Sequence, residues 1–275
     1  MNVFRLDFHN QRKSLLVWAS IVAVSVLSFM AFYPSMNSTD MAAEITSQAS
    51  AFSPEMLQAF GLDSLPDFTR IIEFYAYLMQ YFALAGACYG AILGANALIG
   101  EETSGTIEYL YAQPVTRTEI FFQKLLSAVT SYSLYCLAVA LFSYLSILLF
   151  KAAGTDLSNA FGGITKITAG LLFTGLIFLT VGFLLSVLIK SQKSVAFLAT
   201  GLVFGTYIAG SFALAFDQKI DGIRYLIYLS PLHYAVPADI LKTGVEPSYI
   251  WTGLGVMLVS VGLAYILYQK KDLKS

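Results

Sequence analysis

Apolar residues in this chain do not recur every second or every fourth position but run on, broken by short polar stretches. Continuous apolar runs lie near Leu15 to Tyr33, Phe74 to Ile99, Ile120 to Phe150, Ile167 to Ile189, Ser194 to Phe216 and Tyr249 to Tyr268. A helix needs roughly 20 apolar residues to cross a hydrocarbon layer of about 30 Å, and each run reaches that length or falls just short of it. Lipid offers no partner to a free backbone N–H or C=O, so only helices or closed barrels cross it, and the missing polar/apolar alternation excludes a barrel. The expectation is an all-α integral membrane protein with six transmembrane helices, one domain over residues 1–275. The second and third runs exceed an upright crossing, which places Glu73 in the outer headgroup zone and Lys124 at the inner one.

Composition agrees: 57% of residues are hydrophobic and 12% charged, against about 25% charged in a soluble domain. Arg5, Arg12 and Lys13 precede the first span as they would in a signal peptide. The apolar stretch is too long for one and lacks a small-residue cleavage site, so it reads as a retained helix. With both termini cytoplasmic, the inner segments hold Arg5, Arg12, Lys13, Arg117, Lys124, Lys190, Lys193, Lys270, Lys271 and Lys274. The outer ones hold Arg70, Lys151, Lys166, Lys219, Arg224 and Lys242. Ten of the 16 basic residues on the inner side is the positive-inside bias of a cell-membrane protein in this orientation.

Two outer segments stand apart. Residues 34–70 contain a candidate amphipathic helix near Pro54 to Phe60. The apolar "YLIYLSPLHYAVPADIL", Tyr225 to Leu241, is too interrupted by Pro231 and Pro237 to span, and predicts short interfacial helices between spans five and six.

Reactive chemistry is scarce. Cys88 and Cys136 fall within spans and read as small hydrophobes. His9 and His233 fall on opposite sides of the membrane and cannot share a metal. No His-Glu-x-x-His, Gly-x-Ser-x-Gly or Walker A sequence occurs, so no metal or catalytic residue is assigned and the chain is not expected to hydrolyse ATP by itself. The centres of the spans carry no ionisable residue of the kind that ion-coupled carriers use. Gln80 and Asn96 are the polar exceptions in the second span, suited either to interhelical hydrogen bonds or to lining a substrate path. Gly86, Gly90 and Gly94 recur every fourth residue there and form one face that another helix can approach closely, from the same subunit or from a second one.

The densest polar stretch is "LIGEETSGTIEYLYAQPVTRTEI", Leu98 to Ile120, on the cytoplasmic side. Gly105 can serve as a permissive N-cap, with Glu108 in the first turn where a carboxylate suits the helix dipole. Pro114 ends that helix, roughly Thr106 to Ala112, which carries Ile107, Leu110 and Tyr111 on one side. Thr116 and Glu119 have capping-box spacing, so a new helix starts there and runs into the third span. A short helix held between two breaks and joined to two spans can transmit motion, although any charged connector carries caps too.

That stretch resembles the pattern Glu-x-x-x-Gly-Thr-x-Glu-x-Leu-x-x-x-Pro-x-x-Arg found between the second and third spans of ABC type-2 transporter permeases, the bacterial exporter subunits that include sodium-efflux and bacitracin-resistance members. The matching residues are Glu101 or Glu102, Gly105, Thr106, Glu108, Leu110, Pro114 and Arg117. "YLSPLHYAVPADIL" resembles the same family's segment between the fifth and sixth spans. The N-terminal segment departs from it, offering only Met1 to Ser14, with Phe4 and Phe8, in place of a longer basic helix. The resemblance implies a dimer of permeases, with a second copy or a paralogue, in the bacterial cell membrane. It also implies separate ATP-binding subunits that hold the ATP and magnesium, so that this chain carries no cofactor, and a coupling helix at Gly105 to Pro114. A non-transporting docking, assembly or sensor protein and an ion-coupled carrier are the other readings. Amphipathic peptides, antibiotics or lipids suit the aromatic-rich spans as substrates, as does ordinary membrane packing.

Overall fold

Helix is the only regular structure among the described residues of the computed structural model, which are 3–36, 67–99, 115–189, 191–217, 219–220 and 222–271. In order these are α1 (Val3–Met30), the single turn α2 (Tyr33–Met36), α3 (Ile71–Asn96), α4 (Arg117–Phe150), α5 (Leu157–Leu188), α6 (Val195–Phe216), α7 (Pro237–Lys242) and α8 (Pro247–Lys270). Among the described residues six helices are long and apolar enough to cross a membrane. The short helices expected between spans five and six are 3-10 turns at Ile223–Leu229 and Pro231–Ala235 followed by α7. Pro231 and Pro237 each stand at the first position of their helix, where a missing N–H goes unnoticed. The candidate helix near residues 54–60 lies outside the described residues.

Two boundaries differ from the sequence reading for one reason, a polar helical extension beyond the apolar run. The helix α5 starts ten residues before Ile167, because Asp156 caps it by accepting from Ser158 and Asn159 N–H at 3.0 and 3.2 Å. At 1.5 Å per residue its 32 residues reach about 48 Å, well beyond the hydrocarbon layer. At the other end α1 runs unbroken from Val3, with Phe4 and Phe8 stacked at 5.9 Å.

The centre of the bundle is the pair α3 and α5. Gly90, Gly94 and, from the other side, Gly182 let the two backbones touch: a Cβ added at Gly90 would lie 2.7 Å from the Gly175 carbonyl, one at Gly94 would strike the Leu179 carbonyl, and one at Gly182 the Ala91 carbonyl. Gly86 continues the face with more give, since its neighbour is the Leu171 side-chain end at 2.9 Å. The glycine face therefore meets a helix of the same subunit. From α4, Tyr132 lays its ring against Gly175 and donates its hydroxyl hydrogen bond to the Leu171 carbonyl at 3.2 Å, locking the third helix onto the pair. Small residues at the contact and one satisfied hydroxyl are what binds helices when lipid is as apolar as leucine. Outside this core α1 packs along α4 and α8 along α5. The outer faces of α6 and α8 are bare, with Phe197 78% and Trp251 74% exposed.

Candidate functional site

Of the residues singled out for coupling, Glu101, Glu102, Gly105, Thr106, Ile107, Glu108, Leu110, Tyr111 and Pro114 lie outside the described residues. The structure describes Arg117 and the frame into which that segment feeds. The new helix begins where its sequence requires: the Thr116 hydroxyl accepts from Glu119 N–H at 3.2 Å and the Glu119 carboxylate accepts from Thr116 N–H at 2.8 Å, a complete capping box at the start of α4.

The first turns of α4 are tied to three other helices. Arg117 donates to the Gln269 and Lys271 carbonyls at 3.4 and 3.2 Å, placing a guanidinium at the C-terminus of α8, where carbonyls lack helical partners and a cation suits the dipole. Thr118 adds a 3.1 Å hydroxyl contact to Tyr265 and accepts from the Gln269 amide at 3.1 Å. Phe121 sits edge-on to Phe183 of α5 and Tyr265 of α8, with centroids 5.1 and 5.3 Å away. Gln123 accepts from the Phe4 N–H of α1 at 3.0 Å, satisfying one of the free donors at that helix's start.

Lys124 completes the joint. Sequence places it at the inner headgroup zone, yet it is 2% exposed. Its ammonium donates to the Ala97 carbonyl at the end of α3 at 2.7 Å and stands 3.8 Å from the Asp7 carboxylate of α1. A buried ammonium is tolerated only with such partners. Three chain segments thus meet at one cation, which local sequence cannot reveal because each partner comes from a distant helix. Lys124→Met is expected to lower stability in detergent by about 1–3 kcal/mol, since the Ala97 carbonyl and Asp7 lose their partner. Asp7→Asn should lower it less, given the longer contact and a partly exposed carboxylate. Equal melting of Lys124→Met and wild type would show the ammonium to be dispensable.

The polar residues of α3 part company. Asn96 donates to the Ile92 carbonyl of its own helix at 3.0 Å. Gln80 lines a cavity of about 490 Å³ at the opposite end of the bundle, between α3, α5, α6 and the short helices. His233 forms part of its wall, stacked on Tyr207 at 5.4 Å and sharing a 2.7 Å hydrogen bond with Ser230. Burial pushes the His233 pKa down to about 4, so the ring is neutral at physiological pH. Asp239, also in the wall, has its pKa raised by burial against a smaller opposing effect of Lys242.

A family model described as "ABC-2 family transporter protein" matches residues 1–273. No curated protein matches the chain.

Proposed function

The chain belongs to the ABC-2 transporter family, and from that premise we propose that it is the membrane subunit of an exporter driven through residues 101–117. Membership makes it a multi-pass transport subunit without an ATPase domain of its own, and implies ATP-binding partner subunits. In this reading the segment expected to be helical from Thr106 to Ala112 docks on the ATPase, with Ile107, Leu110 and Tyr111 as apolar anchors and Glu101, Glu102 and Glu108 orienting it. Nucleotide binding closes the ATPase pair, and the permease follows because its two conformations contact that pair differently.

The observation that carries this reading is the joint at the start of α4. Anything that displaces the segment pulls on Thr116, and within eight residues α4 is bonded to α1, α3 and α8 through Gln123, Lys124 and Arg117. An ordinary connector has no need of an exit helix so tied. Dimerisation with a second permease, outward transport and cytoplasmic termini belong to the same proposal.

Orientation has a direct test. In a background with Cys88 and Cys136, both free and buried, replaced by alanine, Ser104→Cys is expected to be shielded from membrane-impermeant thiol reagents in intact cells and Ser53→Cys to react. The reverse pattern would remove the 101–117 segment from the ATPase side. Affinity purification of tagged chain should bring down a Walker A-containing subunit whose turnover depends on the permease; its absence would favour a docking or assembly role.

A further inference from the structure

The cavity at the end opposite the 101–117 segment has a charge arrangement that the coupling reading does not use. Its walls hold the cations Arg70, Lys166 and Lys242 and the anions Glu73, Asp156 and Asp239. Most of these have an occupation. Arg70 donates to Glu73 at 2.9 Å, Asp156 caps α5, and Lys242 lies one turn from Asp239 on α7 and acts on its titration. Among the described residues Lys166 has no ion-pair partner.

Its placement on α5 is specific. Asn159, Gly162 and Lys166 all line the cavity, and their i, i+3, i+7 spacing puts them on one face of the helix. A Cβ at Gly162 would meet nothing within 4 Å, so the wall between the amide and the ammonium is hollow. Lys166 lies about 33 Å along α5 from Leu188, the last residue of the helix, a separation close to one hydrocarbon thickness. Deeper in, Gln80 and His233 interrupt an otherwise apolar wall of Ala76, Ala83 and Leu232, and shallower it is charged. The volume of about 490 Å³ is that of a small-molecule site. An ammonium without an ion-pair partner, beside an amide and above a floor of mostly apolar side chains, fits a phosphate esterified to an apolar body.

We propose that this cavity binds the phosphate of a lipid headgroup, with Lys166 as counter-charge, Asn159 as donor and the hollow at Gly162 as the seat. The site belongs to the chain alone and does not depend on the transport reading, so it is testable without an ATPase or a transported substrate.

The experiment is calorimetric titration of the purified chain in maltoside with dihexanoyl-phosphatidylglycerol below its micellar concentration, alongside dihexanoylglycerol and inorganic phosphate. Wild type is expected to bind the phospholipid saturably and each of the other two at least about tenfold more weakly. Lys166→Glu should weaken phospholipid binding by about tenfold or more, and Lys166→Arg should restore it. Gly162→Leu fills the seat without touching a charge and should also abolish binding, while its elution and melting stay normal. Lys151→Glu, an exposed cation outside the cavity, should leave binding unchanged. Dihexanoylglycerol binding as tightly as the phospholipid would overturn phosphate recognition, and equally tight inorganic phosphate would overturn a lipid ligand. Undiminished affinity in Lys166→Glu or Gly162→Leu would overturn the site.

Discussion

Glu108→Lys, alone or with Leu110→Ala, is expected to leave the chain in the membrane at near-normal level and to abolish ATP-dependent transport. Exposed charges contribute only about 0–1 kcal/mol per pair to stability, so insertion and folding should survive. Docking is more sensitive, because a short interface helix concentrates its energy in a few apolar anchors, and a reversed charge beside them repels as well as fails to attract. The ATPase subunits should either fall away on purification or stay bound with turnover that ignores the permease. Gly105→Pro should give the same outcome by another route, restricting φ and removing a backbone donor at the expected helix start. Full transport by all three variants in vesicles containing the partner ATPase would show residues 101–117 to be a plain connector.

Gly94→Leu and Gly90→Leu are expected to damage folding itself. In both places the obstacle is backbone: the Leu179 carbonyl and, 2.8 Å away, the Phe183 N–H for Gly94, and the Gly175 carbonyl for Gly90. No side chain can rotate aside, so α3 and α5 must separate along their length. Overpacking a core by less than this costs about 1–3 kcal/mol, and the Gly94 variant should exceed the Gly90 variant. Gly201→Leu, where a Cβ meets nothing within 4 Å, serves as the comparison and should melt like wild type as an isolated chain. Normal melting and transport by Gly94→Leu would mean that α3 and α5 are not in backbone contact.

These two results bear on what the sequence disclosed. The all-α six-span plan was legible because the apolar runs are long and a bilayer leaves helices little alternative. The capping box at Thr116 was legible because every atom in it lies within four residues. Gly86, Gly90 and Gly94 announced a face for close approach, but not that Gly175 and Gly182 of α5 would meet it, since that pairing spans more than a bilayer crossing of intervening chain. Lys124 was read as interfacial by counting residues, and is buried because Asp7 and the Ala97 carbonyl arrive from elsewhere. The first turns of α5 are hidden in the sequence because Ser158, Asn159 and Lys166 are polar; Asp156 is the available signal, a capping residue eleven positions upstream of Ile167. Gln80 and Asn96 looked alike in sequence and differ in the fold, one in a cavity wall and the other bonded to its own helix.

The backbone contact between α3 and α5 also sets an order of biosynthesis. The ribosome delivers Gly90 about 4–17 s before Gly175, at roughly 5–20 residues per second, and throughout that interval the glycine face of α3 lacks its backbone partner, with only Tyr132 and Tyr135 of α4 available against Gly86 and Gly90. A polypeptide stopped before Leu157 therefore presents the membrane with a helix whose packing face is covered at Gly86 and Gly90 only by tyrosines of α4 and lacks the Leu179 and Phe183 backbone that meets Gly94. Such a fragment is expected to be degraded faster in the membrane than one that ends after Leu188, which pulse-chase labelling of the two truncations would check.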